Sequence, residues 1–412
     1  MKVWSWVVSA AALAAVGGVA GFGVAAHEQL SALEHAPAYA MPEPAPMLAP
    51  ATGAPVDRAL LIDALSNAST NPALADFHAH ITDATTGDVI FTQLADVPLR
   101  PASTTKVLTA AAALYELGAA DTLTTTAYRV GDDVYVKASG DVWMDADALD
   151  ELAAAIPGAQ AVYVDTSIWD GMPEMMPGWN EADIDGGFVA PLQPAMLNGG
   201  RGLEEATGDV PRSHTPALDV AQALADRVGA AHVDFAAVPE GAEQVAEVSS
   251  PDLITRLDVM MKNSDNVYAE AIAREVRLAT GSDPLTVVAN HGFDTTGCVV
   301  EDGSGLSTLN LITPALLDAI LADAATNPTL RPLLTTLPVA AGDGTLIHRY
   351  GDLPGRGWVR AKTGTLDDTS GLAGTVTSVG GNVYTFAFLS NGSNILDARR
   401  AMDEMASILR EY

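Results

Sequence analysis

The spacing of hydrophobic and polar positions predicts helices and strands at both ends of the globular part of the chain. From about Asp57, leucine and alanine recur at helical spacing, and two β-prone segments, residues 77–82 and 89–92, follow as a hairpin. The run from Ser103 to Leu117 is almost entirely apolar and ends before a glycine. It predicts a helix that is buried on nearly every side.

Strand patterns return near the carboxyl end, at residues 358–365, 371–379 and 383–389, before a last helix over about residues 395–409. Two strands from the beginning and three from the end, with a buried helix between them, indicate an α/β (α+β) sheet domain. Since this sheet is assembled from both ends of the chain, the middle must be an insertion.

We therefore predict a main domain of residues 57–120 and 249–412, with a smaller domain inserted at residues 121–248. The inserted segment mixes short strand-like runs with loops rich in glycine, proline and tryptophan. It contains one clear helix, at residues 217–228, and no repeat at a fixed period. We expect the insert to shape access to a cleft in the main domain.

The amino terminus carries an apolar run from Val3 to Ala26 that follows a lysine and precedes His27 and Glu28. This order of charges directs the rest of the chain outward across a membrane. As a helix the run would be about 36 Å long, which is enough to span a bilayer. Small residues at 24–26 and 38–40 also suit signal cleavage.

Residues 1–26 are therefore predicted to be a signal peptide or a membrane anchor, and both alternatives export the protein. A stretch rich in proline and alanine follows and is predicted to be a linker over residues 27–56.

The chain is strongly acidic, with 52 acidic and 21 basic residues and a formal net charge of -31 at pH 7. Such a surface repels phosphate backbones and anionic headgroups, so we expect no nucleic-acid partner. Membrane contact is expected only through the amino-terminal segment. Cys298 is the only cysteine, so no internal disulfide forms and the fold depends on packing.

Three short strings stand in a fixed order: Ser103-Thr104-Thr105-Lys106, Ser264-Asp265-Asn266 and Lys362-Thr363-Gly364. Together they describe a serine acyl-transfer site that is activated by lysine. The lysines make the signal sharper, because the chain has only five of them and two stand inside the strings.

Serine is a weak nucleophile until a base removes its proton, and an amine three residues further along a helix lies on the same face. Ser103 and Lys106 have this spacing. The amine acts as a base only when it is neutral, which requires apolar surroundings and a nearby cation, for which Lys362 is a candidate. The alternative is that Ser103 only caps the helix and Lys106 is a solvated surface residue.

The other two strings are less specific on their own. Ser264 and Asn266 lie between two helical patterns, where they are able to relay a proton to the leaving amine and fix either the base lysine or a substrate carbonyl. Ser-Asp-Asn is equally a turn or a helix cap. The third string and the following Thr365 offer a cation and two hydroxyls for a carboxylate, and its glycine allows a substrate backbone to approach. An ordinary strand with an exposed lysine is the alternative.

With the stretches around them, these strings resemble the class C low-molecular-mass penicillin-binding proteins, the D-Ala-D-Ala carboxypeptidase/endopeptidase family. The likeness covers nearly everything from about Asp57 onward. The stretches that carry it are TDATTG at residues 82–87, RPASTTK at 100–106, LNGG at 197–200, EDGSGLS at 301–307, GDGTL at 342–346 and AKTGTL at 361–366.

The resemblance implies a β-lactamase/transpeptidase-like fold with a five-stranded antiparallel sheet and flanking helices. It makes Ser103 the acylated nucleophile, Lys106 its base, and Ser264 and Asn266 the proton relay and the orienting amide. The oxyanion would be held by the backbone N–H groups of Ser103 and Thr365.

The resemblance also assigns substrate binding to Lys362, Thr363, Gly364 and Thr365. Of these, Lys362, Thr363 and Thr365 would hold the terminal carboxylate of the stem peptide. The implied partners are a peptidoglycan stem peptide ending in D-Ala-D-Ala and β-lactam inhibitors. The implied location is outside the cytoplasmic membrane. No cofactor is predicted.

Two features depart from the family pattern. Gly140-Asp141-Val142-Trp143 stands where the family commonly has Gly-Asp-Pro, and the step from Ser103 to Ser264 is shorter than expected. Both differences concern the inserted domain and leave the catalytic assignment unchanged.

Two other functions stay open. One is a β-lactamase or esterase of the same fold, although the long insertion and the lack of an obvious deacylating glutamate loop count against it. The other is a non-catalytic penicillin-binding sensor.

Two further features outside the strings suggest chemistry at first sight. His78 and His80 share one face of a strand, but no third ligand stands at a supporting spacing, so no metal site is predicted. The stretch 302–307 lacks the Gly-x-Ser-x-Gly pattern and is interpreted as a structural turn that needs glycine.

Overall fold

The computed structural model describes residues 2–31, 53 and 55–412. The chain falls into two compact units, Met1–Pro50 and Ala51–Tyr412. The described part of the first unit is one helix. Most of the predicted linker, residues 27–56, lies outside the described residues.

The amino-terminal helix, α1, spans Lys2–Ser31 and so continues past Ala26, where the predicted apolar run ends. Among the described residues it is the one helix that is long and apolar enough to cross a membrane, over Trp6–Ser31. A signal sequence near the amino terminus meets the same criterion. The choice between a cleaved signal and a retained anchor therefore stays a prediction.

The helices and strands of the second unit follow in chain order. The strands are β1 Asp76–Asp83, β2 Val89–Gln93, β3 Thr124–Val130, β4 Asp133–Lys137, β5 Asp141–Met144, β6 Ala161–Asp165, β7 Ala195–Leu197, β8 His232–Phe235, β9 Glu243–Ser249, β10 Val359–Leu366, β11 Thr369–Thr377 and β12 Val383–Asn391. The helices are α2 Arg58–Ser69, α3 Thr105–Glu116, α4 Ala146–Ala155, α5 Ala182–Asp185, α6 Pro216–Val228, α7 Leu253–Asn263, α8 Asn266–Thr280, α9 Pro284–Asn290, α10 Pro314–Thr326, α11 Arg331–Thr336 and α12 Ile395–Glu411.

The main sheet has five strands in the order β10-β11-β12-β1-β2, and every neighbouring pair is antiparallel. The first strand of the chain pairs directly with the last, from Asp76 opposite Asn391 to Asp83 opposite Tyr384. The predicted α/β (α+β) fold with a five-stranded antiparallel sheet is therefore confirmed.

The boundaries of β11 differ from the prediction because the flanking turns are tight. β11 begins at Thr369, since a two-residue turn with Asp368 at φ 55° follows β10 directly. It ends at Thr377, before a turn in which Gly381 has φ 88°. Both turns keep the three carboxy-terminal strands in continuous register.

Helix α3 is buried on every side from Thr105 to Leu114, as its composition predicts. The helix begins two residues later than predicted, however, because Ala102–Thr104 forms a 3₁₀ turn ahead of it. Ala102 has φ 48°, a conformation that a right-handed helix does not allow. Ser103 is thereby held in a tight turn at the head of the helix.

A second sheet of five strands, in the order β8-β6-β4-β3-β9, lies within residues 124–249. Helices α4 and α6 pack against it around a separate apolar cluster. The predicted helix at 217–228 is observed as Pro216–Val228. Helix α4 was not predicted, and the assignment of residues 121–248 to an inserted domain stays a prediction.

The aromatic side chains in the core of the main sheet should contribute strongly to the free energy of unfolding. Phe388 is fully buried and contacts Phe386 and Phe77, with ring centroids 4.8 and 5.9 Å away. We expect Phe388→Ala to lower the free energy of unfolding by about 3–5 kcal/mol, because it removes a large side chain and leaves a cavity. The midpoint of urea denaturation measures this loss.

The control is Leu396→Ala on α12, whose side chain is 71% exposed. It should change the free energy of unfolding by less than about 0.5 kcal/mol. Equal losses in the two variants would contradict the assignment of Phe388 to the core.

Candidate active site

The amine of Lys106 lies at the centre of the site, in the first turn of α3. Lys106 Nζ is 3.0 Å from Ser103 Oγ, 2.8 Å from Asn266 Oδ1 and 2.7 Å from the carbonyl oxygen of Ser304. These three acceptors match the three N–H bonds of a protonated amine. After loss of a proton, the lone pair is able to accept a hydrogen bond from the Ser103 hydroxyl in the same geometry.

The surroundings of Lys106 favour the neutral amine. The side chain is completely buried, and no carboxylate lies within ion-pair distance of it among the residues that the structure describes. Burial lowers the pKa of Lys106 to about 7, although the negative charges of Asp302 and Asp265 oppose the fall. A large share of the molecules therefore hold a neutral amine near pH 7.

The second string forms an abrupt turn between two helices. Ser264 ends α7 with φ 57°, Asp265 caps α8, and Asn266 is the first residue of that helix. The turn brings the Asn266 amide to Lys106, while its Nδ2 donates to the carbonyl of Phe188 at 3.1 Å. The amide orientation is thus fixed from both ends.

Asp265 holds this turn in place. Its carboxylate forms ion pairs with Arg201 and Arg212 and accepts a hydrogen bond from the backbone N–H of Tyr268. Burial opposes ionisation, but the two guanidinium groups hold the pKa of Asp265 well below its usual range. Sequence analysis missed both arginines. Arg201 directly follows the LNGG stretch, which is a signal for Arg201 but not for Arg212.

Lys362 joins the third string to the second. Its Nζ donates to Ser264 Oγ at 2.9 Å and to the carbonyl of Thr363 at 2.8 Å. The side chain is fully buried; burial, and after it the charge of Lys106, lowers the pKa of Lys362 well below its ordinary value. The alternative of an exposed strand lysine is thereby excluded.

Gly364 fixes strand β10 beside the nucleophile. A Cβ at this position would lie 2.6 Å from the carbonyl oxygen of Pro101 and 3.2 Å from the Cβ of Ala102. The space that Gly364 leaves free is therefore occupied by the turn that carries Ser103. This packing role adds to the predicted role in substrate approach, which stays a prediction.

A cleft of about 730 Å³ opens in front of these groups. Ser103 and Asn266 lie on one wall, Thr363 and Thr365 on the strand wall, and Phe188 is contributed by the middle of the chain. Thr363 Oγ1 is hydrogen-bonded to Thr345 Oγ1 at 2.8 Å. The structure thus brings together all eight residues predicted for the site.

The turn at residues 302–307 also belongs to the site, which sequence analysis did not predict. The Asp302 carboxylate accepts hydrogen bonds from Trp179 Nε1, the Ser304 hydroxyl and the Gly305 N–H at 2.7, 2.7 and 2.8 Å. This arrangement presents the Ser304 carbonyl to Lys106. The predicted need for glycine is met at Gly305, with φ 83°.

The two strand histidines have protein partners. His78 Nδ1 lies 2.7 Å from the carbonyl oxygen of Val97, and His80 Nδ1 lies 2.7 Å from Asp318 Oδ2. Within the described residues, no group of three or more His, Cys, Asp or Glu side chains is arranged to hold a metal ion.

A serine within hydrogen-bond distance of a buried lysine, beside the edge of an antiparallel five-stranded sheet, defines a serine peptidase of the penicillin-binding class. The chain belongs to the D-Ala-D-Ala carboxypeptidase 3 (S13) family, whose sequence pattern matches residues 61–211 and 205–412. The resemblance and the enzyme class predicted from the sequence are confirmed.

Two curated relatives cover most of the chain. Carboxypeptidase DacB of Mycolicibacterium smegmatis is 42% identical over 90% of this chain and 89% of its own length. Carboxypeptidase Rv3627c of Mycobacterium tuberculosis is 40% identical over 84% of this chain and 82% of its own length.

The fold is similar to that of a solved structure. The crystal structure of penicillin-binding protein 4 from Haemophilus influenzae has a TM-score of 0.68 and 21% identity. The match covers 87% of this chain and all of that one.

The lowered pKa of Lys106 predicts a pH dependence for acylation of the serine. Since the base is the deprotonated amine, the acylation rate should rise about tenfold per pH unit below pH 7 and level off above it. Stopped-flow measurement of acylation by excess penicillin between about pH 5 and 9 tests this. A flat profile, or a rate that falls through neutral pH, would contradict a lysine base with this pKa.

Proposed function

We propose that the protein is a serine-type D-Ala-D-Ala carboxypeptidase that acts on peptidoglycan stem peptides through an acyl-enzyme on Ser103. Penicillin acylates the same serine. The observation that carries the proposal is the 3.0 Å contact between Ser103 Oγ and the completely buried amine of Lys106, in a chain of this family. Endopeptidase action at the same site is the alternative bond specificity.

Acylation begins when neutral Lys106 accepts the hydroxyl proton of Ser103. The Ser103 oxygen bonds to the carbonyl carbon of the penultimate D-alanine, and the peptide bond to the terminal D-alanine breaks. The proton that Lys106 accepted passes through Ser264, which lies 2.9 Å from Lys362 Nζ, to the leaving amine, and Lys106 is neutral again. The Asn266 amide orients Lys106 throughout. Water then hydrolyses the ester and frees the serine.

The register of β10 supports the proposed oxyanion site. β10 is an edge strand. The N–H of Ala361 lies on its free edge, away from β11, and donates to the carbonyl of Pro338. Because outward N–H groups recur every second residue on a strand, those of Thr363 and Thr365 point the same way. The N–H of Thr365, together with that of Ser103, is thus available for the negative oxygen of the tetrahedral intermediate.

The terminal carboxylate of the stem peptide binds along the same edge. Thr363 and Thr365 offer hydroxyl groups at the cleft, and Lys362 acts from behind them through its hydrogen bonds to Ser264 and the Thr363 carbonyl. Gly364 keeps this edge in contact with the turn of Ser103.

The domain division and the location complete the proposal. Residues 57–120 and 249–412 form the catalytic domain, and residues 121–248 form an insert that contributes Phe188 to the site. The apolar helix at the amino terminus exports the protein, which works outside the cytoplasmic membrane, where peptidoglycan lies.

The role of the base is tested by Lys106→Ala. We expect the variant to fold and to be acylated about 10²–10⁴-fold more slowly, because the serine loses its proton acceptor. Mass spectrometry after incubation with labelled penicillin measures the adduct on Ser103. The matched control is Lys137→Ala, an exposed lysine on β4, and wild-type acylation rates in Lys106→Ala would remove lysine from the base role.

The reaction type is tested with purified muropeptides and mass spectrometry of the products. We expect loss of one terminal D-alanine from pentapeptides, and Ser103→Ala should abolish it because no acyl-enzyme forms. Cleavage of cross-links instead indicates an endopeptidase. Fast turnover of penicillin without a stable adduct indicates a β-lactamase, and a stable adduct without peptide cleavage indicates a sensor.

A further inference from the structure

Arg399 projects from α12 into the cleft that contains Ser103 and Thr365. Its Nη2 donates a hydrogen bond to the side-chain oxygen of Thr365. Sequence analysis does not single out Arg399, because it stands beside another arginine on an amphipathic helix.

Arg399 differs from the other arginines of the cleft in having no acidic partner among the residues that the structure describes. Arg100 pairs with Asp368 at 2.6 Å, and Arg349 pairs with Asp403 at 2.6 Å. Within the described part of the chain, no carboxylate lies within ion-pair distance of Arg399. Its Nε is buried and has no hydrogen-bond partner within residues 2–31, 53 and 55–412.

A guanidinium group that is half-buried and lacks a counter-ion favours binding of an anion. Arg349 lies beside it and donates a hydrogen bond to the carbonyl of Arg399 at 3.3 Å. Since Arg349 is neutralised by Asp403, Arg399 retains the net charge that faces the cleft.

The hydrogen bond to Thr365 sets the direction of the hydroxyl proton. Because Arg399 donates to the Thr365 oxygen, the hydroxyl hydrogen of Thr365 must point to a different acceptor. Thr365 and Arg399 both line the cleft, so an anion bound there receives one hydrogen bond from the Thr365 hydroxyl and another from the guanidinium group of Arg399.

Lys362 is less suited to provide this charge. It is completely buried behind the strand, and its amine is already bonded to Ser264 Oγ and the Thr363 carbonyl. Burial and the neighbouring Lys106 lower the pKa of Lys362, whereas an arginine stays protonated at all working pH values.

The geometry points to Arg399 as a substrate-binding residue that, with Thr365, recognises the terminal carboxylate of the peptide and supplies most of the positive charge for it. This inference rests on the proposed function, and it moves the electrostatic part of carboxylate recognition from Lys362 to α12.

The test compares two peptides that end in D-Ala-D-Ala and differ only at the terminus, one with a free carboxylate and one with a carboxamide. We expect Arg399→Ala to lower kcat/KM for the carboxylate peptide by about 10- to 100-fold, the effect of losing a charge-assisted hydrogen bond. Cleavage of the carboxamide peptide should change by less than about twofold, since it lacks the charge that Arg399 binds.

Conservative variants separate the charge from a positioning role. Arg399→Lys should restore part of the preference for the carboxylate, whereas Arg399→Gln, which keeps a donor for Thr365 but no charge, should not. The Gln variant also decides the question if the Ala variant fails to fold. The matched control is Arg400→Ala, an exposed arginine that pairs with Asp352 and Glu404, and it should leave the preference unchanged.

The outcomes separate this inference from the proposed function. If wild-type protein cleaves the peptides and Arg399→Ala or Arg399→Gln keeps the full preference for the carboxylate, Arg399 does not bind it. Equal losses for both peptides would assign Arg399 a structural role and overturn the inference as well. If wild-type protein neither cleaves the peptides nor forms a penicillin adduct, the proposed function fails, and the inference fails with it.

Discussion

The close burial of two lysine amines is the constraint on which the site depends. Moving a charged amine out of water costs several kcal/mol, and neither Lys106 nor Lys362 has a carboxylate in contact to offset this among the described residues. Three neutral acceptors bind the Lys106 amine and two bind the Lys362 amine, and none of them adds a counter-charge. The fold therefore holds these amines where loss of a proton is easy, which is the condition for a lysine to act as a base.

The three segments around the two amines, which are the turns of Ser103 and Ser264 and the loop at Asp302, are each held in place by different contacts. The turn of Ser103 is packed under the glycine of β10, and the turn of Ser264 is held by the ion pairs of Asp265 with two arginines. The loop at Asp302 is closed by hydrogen bonds to its own carboxylate. Rigid support of this kind is what keeps a weak nucleophile and its base within 3.0 Å of each other.

The sequence predicted the reacting groups and the main sheet because their signals are local. Lysine is rare in this chain, and strand periodicity is clear on both sides of tight turns. Arg399 and Arg400 show the limit, because they are identical neighbours and only the packing of α12 directs one to the cleft and the other to solvent. Helix α4 was missed although Asp145 caps it and Leu149 and Leu152 recur at helical spacing. At ten residues it is too short to be stable alone, and it is stabilised by packing on a sheet with both parallel and antiparallel pairs.

The pairing of the first strand with the last has a consequence for biosynthesis. The nucleophile turn is synthesised well before β10 and β12, so the main sheet stays incomplete until those strands have left the ribosome. Until then β1 and β2 form only a lone hairpin, which is marginally stable in water. Hydrolytic competence therefore requires that β10–β12 have been synthesised, because β10 carries Lys362 and β12 pairs with β1.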